Sequence, residues 1–245
     1  LLVPRELGRT YAEVFAACAA GGYRGLNITY PYKERVTDLV RIEDPLVRAM
    51  GAVNTVLFEP GGPRGFNTDH TGFIAAYRAF RGGLPPGRVA VIGTGGVGRA
   101  IAFGLVALGA EAIGLVDADP ARAKAVAADL DRGPLAPGAG GTVIVADRVE
   151  ALPWRVEGLV NATPLGMAAS PGSPVHPRVF AGAGWAFDAV YTPVDTTFLR
   201  DAAAAGLAIL SGWELFFEQG VDAWTLFSGA PPDREALRRA LNPPG

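Results

Sequence analysis

The chain has 245 residues, enough for one large domain or two modest ones. A formal net charge of −2 and an isoelectric point near 5.8 give no electrostatic case for nucleic acid, and no apolar run is long enough to span a membrane. One cysteine and two histidines exclude an intrachain disulfide and a Cys/His zinc cluster, and a reducing cytoplasmic setting is the expectation.

In chain order, residues 1 to about 20 read as a helix that Thr10 can cap, with Val14, Phe15 and Cys18 on its apolar side and Gly21-Gly22 ending it. Gly25 to Thr29 reads as a short strand stopped by Pro31. Residues 34–47 are helical in parts, with a break expected at Pro45. Residues 51–58 read as a strand closing on the turn Pro60-Gly61-Gly62-Pro63, and Gly65 to Asp69 leads into a helix from about Thr71 to Phe80. Gly82-Gly83-Leu84-Pro85-Pro86-Gly87 has linker composition and marks a boundary. The expected organisation is a front unit over residues 1–86 and a back unit over 87–212. The apolar helix Trp213 to Phe227, with the rest of 213–245, crosses back onto the front.

From Arg88 onward strands and helices alternate. Val89, Val91 and Ile92 form the apolar run of a parallel strand covered on both faces. Gly93, Gly95 and Gly98 follow in G-x-G-x-x-G spacing, and Ile101, Leu105 and Leu108 continue on one helical face. Such a turn lets backbone approach a pyrophosphate and presents free N–H groups and a positive dipole end to it. In a glycine-rich chain the pattern alone is weak. Two neighbours strengthen it: a second apolar run, Ile113 to Val116, and Asp117 at its end, where an acid accepts hydrogen bonds from an adenosine ribose. Helix 120–130, a loop at 134–141 and strands at 143–145, 158–161, 186–191 and 208–210 complete an α/β fold. It is a Rossmann-type doubly wound parallel sheet plus a smaller α/β substrate-binding domain. The candidate cofactor residues of the turn are Gly93, Gly95, Gly96, Val97 and Gly98.

A nicotinamide domain needs a surface that holds a substrate and moves a proton. The front unit offers Asn27, Thr29, Lys33, Asn54, Asn67, Thr68 and Asp69, polar groups where strands stop. Lys33 and Asp69 are the acid/base candidates. A solvated ammonium is the ordinary fate of a lysine like Lys33, and a helix cap before Thr71 is the competing use of Asp69. His70 is a secondary candidate for carrying a proton, Tyr30 and Tyr191 can reach the cleft or pack, and His176 reads as structural.

Several motifs together resemble the shikimate dehydrogenases and their quinate/shikimate relatives. They are Asn27-Ile28-Thr29-Tyr30-Pro31-Tyr32-Lys33, Gly51-Ala52-Val53-Asn54-Thr55, Asn67-Thr68-Asp69, the Gly93–Gly98 turn, Asn161-Ala162-Thr163-Pro164-Leu165-Gly166-Met167, Asp188-Ala189-Val190-Tyr191-Thr192-Pro193, and Gln219. They run in order over nearly the whole chain. The resemblance implies that Lys33 and Asp69 are the catalytic pair, that Thr29, Asn54 and Gln219 bind substrate hydroxyls, and that Thr163, Pro164, Leu165, Val190 and Gly212 line the nicotinamide. The implied reaction is reversible oxidation of a ring hydroxyl of shikimate or quinate.

Two departures stand out. Family members open with a Ser-x-Ser or Ser-Arg-Thr segment that binds the substrate carboxylate. Nothing before Thr10 matches it, so either it precedes Leu1 or the carboxylate site and the activity are missing. NADP-using members carry Asn-Arg-Thr at the end of the second cofactor strand, where this chain has Asp117-Ala118-Asp119. Two carboxylates repel a 2′-phosphate, so NAD is expected over NADP. Arg122 either lies over the adenine or is a helix surface residue. An aminoshikimate-type substrate and a non-catalytic dinucleotide sensor are the alternative readings, and the sequence leaves both monomer and homodimer open.

Overall fold

The computed structural model of the protein describes residues 4, 6–134 and 141–241. The front unit contains α1 (Tyr11–Ala20), β1 (Gly25–Asn27), a 3-10 turn (Arg35–Leu39), α2 (Pro45–Met50), β2 (Thr55–Glu59), β3 (Gly62–Phe66) and α3 (Thr68–Arg81). The back unit contains β4 (Arg88–Ile92), α4 (Gly96–Ala107), β5 (Ala112–Val116), α5 (Pro120–Arg132), β6 (Thr142–Ala146), β7 (Gly158–Asn161), β8 (Trp185–Asp188), α6 (Thr197–Ala204) and β9 (Ala208–Leu210). The chain ends through α7 (Gly212–Ser228) and α8 (Arg234–Leu241).

The six back strands are parallel in the order β6-β5-β4-β7-β8-β9, which counted from β4 is 3-2-1-4-5-6, the doubly wound dinucleotide-binding arrangement. The apolar runs of β4, β5, β7 and β8 are buried because helices cover both faces. On one face Val89, Val91, Ile101, Phe103 and Ile113 pack with Phe73 and Tyr77 of α3. Phe73 meets Phe187, ring centroids 5.3 Å apart, and Tyr77 meets Trp185 at 5.2 Å. A front-unit helix therefore shares the core of the back sheet. The other face packs on Phe180, Phe198 and Leu199. The front sheet is antiparallel, β1-β2-β3, over a small core of Phe15, Ile28, Val36, Val47, Val53 and Val56.

Several local expectations change. The first helix is shorter: Thr10 forms a capping box with Glu13, and residues 6–9 are turns and bends. Pro45 does not break a helix but starts one, at its first position behind the Asp44 cap, where its missing N–H costs nothing. The strand at 51–58 is confined to Thr55–Glu59, because Gly51 takes a left-handed conformation that closes α2. β3 was hidden by its Gly and Pro content and pairs with β2. Helix α3 begins at Thr68 with Asn67 as its cap. The strand at 186–191 stops at Asp188, and most of the loop expected at 134–141 lies outside the described residues. Cys18 is a buried core residue of α1.

Candidate active site

The front wall is built on the start of α3. Asn67 Oδ1 accepts from the His70 N–H at 3.0 Å, and Asn54 Oδ1 accepts from the Thr68 N–H at 2.7 Å. Two asparagines from different segments thus satisfy N–H groups that a helix start leaves open. The carboxylate of Asp69 sits in this first turn, where the dipole favours it, and Asp69 is not the cap. Lys33 comes from the turn after β1. Its carbonyl accepts from Val53 N–H at 2.8 Å, and its Nζ lies 2.6 Å from Asp69 Oδ2. The Asp69 side chain is 6% exposed and that of Lys33 17%, so the ammonium is the accessible half of the pair.

The expected hydroxyl ligands are distributed unevenly. Asn54 is buried and donates through Nδ2 to Thr68 Oγ1 at 3.0 Å; among the described residues that amide nitrogen has no other acceptor, so one N–H remains. Gln219 reaches the same group from α7: its Nε2 donates to the Phe216 carbonyl at 2.9 Å and its Oε1 faces Thr68 Oγ1 at 3.4 Å. Gly72 makes this possible. A Cβ there would lie 2.7 Å from the Gln219 nitrogen, so only glycine lets α3 and α7 come this close. Thr29 is exposed on the turn leading to Lys33, its carbonyl accepting from Tyr32 N–H. Among the described residues no hydrogen bond joins it to the Asn54–Thr68–Gln219 group.

His70 does not face solvent. It is buried with Nδ1 3.3 Å from the Ala100 carbonyl of α4, and burial lowers its pKa. That places its ring in the α3–α4 contact. Tyr30 is exposed, Tyr191 stacks on Phe216 at 4.7 Å, and His176 caps the 3-10 turn Pro177–Phe180, a structural role.

The back wall is the carboxyl edge of the parallel sheet. Gly93 has φ +92°, and a Cβ on it would lie 2.8 Å from the Ala162 carbonyl. A Cβ on Gly98 would sit 2.1 Å from the Gly93 oxygen, so the helix start can lie against the strand only with glycine there. Helix α4 has no side-chain cap at Gly95, its first N–H to find a helical carbonyl belongs to Arg99, and a Cβ on Gly95 would meet nothing within 4 Å. Open backbone donors beside open space fit a pyrophosphate. Val97 is half-buried and packs into the core. Asp117 accepts from Thr94 N–H and Oγ1, both at 2.7 Å, and from Asp119 N–H at 2.9 Å. Burial pushes this carboxyl up, but these hydrogen bonds, with the nearby Arg122 charge, outweigh burial and hold it below the usual range. Arg122 is exposed on α5, and Asp119 caps that helix.

The remaining loops are tied by groups that the sequence reading left without a role. Asn161 Oδ1 accepts from Thr163 N–H at 3.0 Å and Thr163 Oγ1 at 2.7 Å, and its Nδ2 donates to the Leu165 carbonyl and to Asp188 Oδ1. Asp188, fully buried, also accepts from Val190 N–H and Thr196 Oγ1. Pro164 and Leu165 are exposed, Val190 is buried, and a Cβ on Gly212 would lie 2.5 Å from the Val190 oxygen. Thr163, Pro164, Leu165, Val190 and Gly212 therefore belong to one loop cluster. Asn161 and Asp188 were legible as polar residues ending apolar strands. Arg99 joins the two units, donating from Nε to the Met50 carbonyl at 2.7 Å and pairing with Asp129.

Residues 7–56 match the family profile of the shikimate dehydrogenase substrate binding domain. Over 241 residues the chain is 40% identical to a quinate/shikimate dehydrogenase (NAD(+)) of Corynebacterium efficiens, covering 97% of this chain and 83% of that protein. The chain belongs to the shikimate/quinate dehydrogenase family. Among solved structures it is similar to the quinate dehydrogenase of Corynebacterium glutamicum in complex with NAD, with a TM-score of 0.84 and 33% identity over 97% of this chain and 84% of that one. It is also similar to shikimate 5-dehydrogenase of Thermus thermophilus in complex with NADP(H) and shikimate, with a TM-score of 0.77 and 35% identity over 97% and 91% of the two chains. The family thus includes relatives named for either dinucleotide, and a nicotinamide dinucleotide is the cofactor class of this shikimate/quinate dehydrogenase family member.

Proposed function

We propose that the chain catalyses the reversible oxidation of a ring hydroxyl of shikimate or quinate to the 3-dehydro ketone, with NAD preferred over NADP. The observation that carries this reading is the 2.6 Å Lys33–Asp69 pair, whose lysine lays its aliphatic stem against the glycine turn that starts α4 and keeps its ammonium the more accessible partner. Asp69 orients the ammonium. In the oxidation direction the neutral Lys33 amine takes the hydroxyl proton and becomes the ammonium paired with Asp69; in the reduction direction that ammonium offsets the charge developing on the carbonyl oxygen and gives it the proton. Thr29, the remaining Asn54 N–H and Gln219 hold other ring hydroxyls. In this reading residues 1–86 with 213–245 form the substrate side and residues 87–212 the dinucleotide side.

Gly93, Gly95, Gly96, Val97 and Gly98 would hold the pyrophosphate, Asp117 the adenosine ribose, and Thr163, Pro164, Leu165, Val190 and Gly212 the nicotinamide, which accepts a hydride when bound. The preference for NAD rests on Asp117 and Asp119. Two unit charges 4 Å apart near a protein surface interact by about 4 kcal/mol, so a carboxylate facing a 2′-phosphate is a strong bar. Initial rates with shikimate and quinate, each with NAD and NADP, test the reading. Turnover of at least one acid with NAD, faster than with NADP, is expected. No turnover of either acid with either dinucleotide counts against the reaction, and faster turnover with NADP counts against the cofactor preference.

A further inference from the structure

The fourth position of a G-x-G-x-x-G turn is variable, because the dinucleotide makes its demands on the three fixed glycines. This chain nevertheless has glycine there, Gly96. Its backbone does not require one: Gly96 is not among the positive-φ glycines, and it is the first residue of α4, where alanine is the better helix former. The constraint comes from the other wall. A Cβ on Gly96 would lie 2.8 Å from Lys33 Cβ, 3.2 Å from Cδ and 3.5 Å from Cγ.

The Lys33 stem cannot give way cheaply. Its backbone is held by the Val53 N–H to Lys33 carbonyl bond of 2.8 Å, and its far end by Asp69 at 2.6 Å. The closest approach is to Cβ, which moves only with the backbone. Gly95 next door is the opposite case, with nothing within 4 Å of its Cβ position.

We propose that Gly96 is a positioning residue for Lys33: it is glycine so that the stem of the proton-handling lysine can rest on the start of the dinucleotide helix. This rests on the proposed reaction. The two demands on Gly96 are separate: its backbone N–H, which alanine keeps, belongs with the rest of the turn to the pyrophosphate, and its missing side chain serves the acid/base pair. An added methyl group at Gly96 moves the ammonium relative to Asp69 or separates the two walls, and the open donors of α4 are left as they were.

The test compares G96A, G95A, K33A, K33G and the K33G/G96A double variant. For G96A the expected result is NADH affinity, measured by equilibrium fluorescence titration, within about threefold of wild type, with kcat at saturating dinucleotide lowered about tenfold or more. A crystal structure of G96A without dinucleotide is expected to show the Lys33 Nζ–Asp69 Oδ2 contact lengthened or the walls further apart. G95A is expected to show the reverse kinetic split, weakened NADH affinity with a smaller change in kcat. In the K33G background, which removes Cβ together with the ammonium, adding G96A is expected to change the residual kcat by less than about twofold, because the two changes act through one group. The proposal is overturned if G96A keeps kcat while losing affinity as G95A does, or if its cost in kcat persists in the K33G background. A K33A enzyme with near wild-type turnover sinks the proposed reaction and this inference with it. An impaired K33A beside a silent G96A sinks this inference alone.

Discussion

Asn161 Nδ2 donates to Asp188 Oδ1 at 3.0 Å, and that bond locks together the carboxyl ends of the neighbouring strands β7 and β8. From the same two side chains, further hydrogen bonds fan out to Thr163, Leu165, Val190 and Thr196. Replacing Asp188 by Leu leaves three buried donors without an acceptor, at about 1–3 kcal/mol each. D188L is expected to fall in stability by several kcal/mol and to raise the KM for NAD. D188N keeps an acceptor oxygen and should stay within about tenfold of wild-type kcat/KM. Urea denaturation together with steady-state kinetics on both variants checks this.

The same carboxyl gives stability a pH dependence. Burial raises the Asp188 pKa from 3.8 to about 6, against the hydrogen bonds from Thr196, Val190 and Asn161. Between those values the folded chain holds more of this proton than the unfolded one. The contribution of Asp188 is therefore largest at the acid end and declines as pH rises through the window, by up to about 1.4 kcal/mol per pH unit. His70 acts in the opposite sense, since its lowered pKa costs stability as pH falls below 6.5. Comparing wild type with D188N separates the two. The stability of wild type minus that of D188N should fall between pH 4 and 6, and a flat or rising difference would contradict the assignment.

Removing the ammonium tests the front wall directly. K33A is expected to lower kcat by about two to four orders of magnitude, with substrate KM changing only a few-fold. D69N keeps an acceptor for Lys33 without the charge and should cost less. Rates in both directions at saturating dinucleotide distinguish the two.

Asp117 decides between dinucleotides if its charge matters. D117N retains one oxygen for the Thr94 N–H and hydroxyl, gives up the Asp119 N–H bond to Oδ1, and removes the repulsion. The ratio of kcat/KM for NAD to that for NADP should drop by about tenfold or more. An unchanged ratio would move the discrimination to Asp119 or elsewhere.

Gly72 carries a packing prediction. A methyl group there meets the Gln219 backbone at 2.7 Å, and backbone cannot rotate aside. G72A should lose about 1–3 kcal/mol of stability and weaken substrate binding through the displaced Gln219. Thermal unfolding and the KM for shikimate or quinate report the two effects separately.

The parallel sheet was legible because its strands are continuous apolar runs and its first turn is marked by glycines. Lys33 and Asp69 were legible as polar groups at strand and helix ends, and the sequence motifs gave them a family. Other features were not. β3, with the sequence Gly-Pro-Arg-Gly-Phe, exists through pairing with β2, which no local pattern announces. The burial of His70 against the Ala100 carbonyl depends on how α3 lies on α4.

By itself, then, the sequence determined the element types of the parallel sheet and its helices and the identity of the polar residues, because local propensity, period and spacing act along the chain. Only the tertiary structure decided which of those residues meet. Asn54 turned inward to hold the start of α3, Gln219 arrived across Gly72, and Lys33 came to rest on Gly96. Such contacts join residues tens to hundreds of positions apart. Their geometry is set by the packing of helices on a shared core, which no single segment contains.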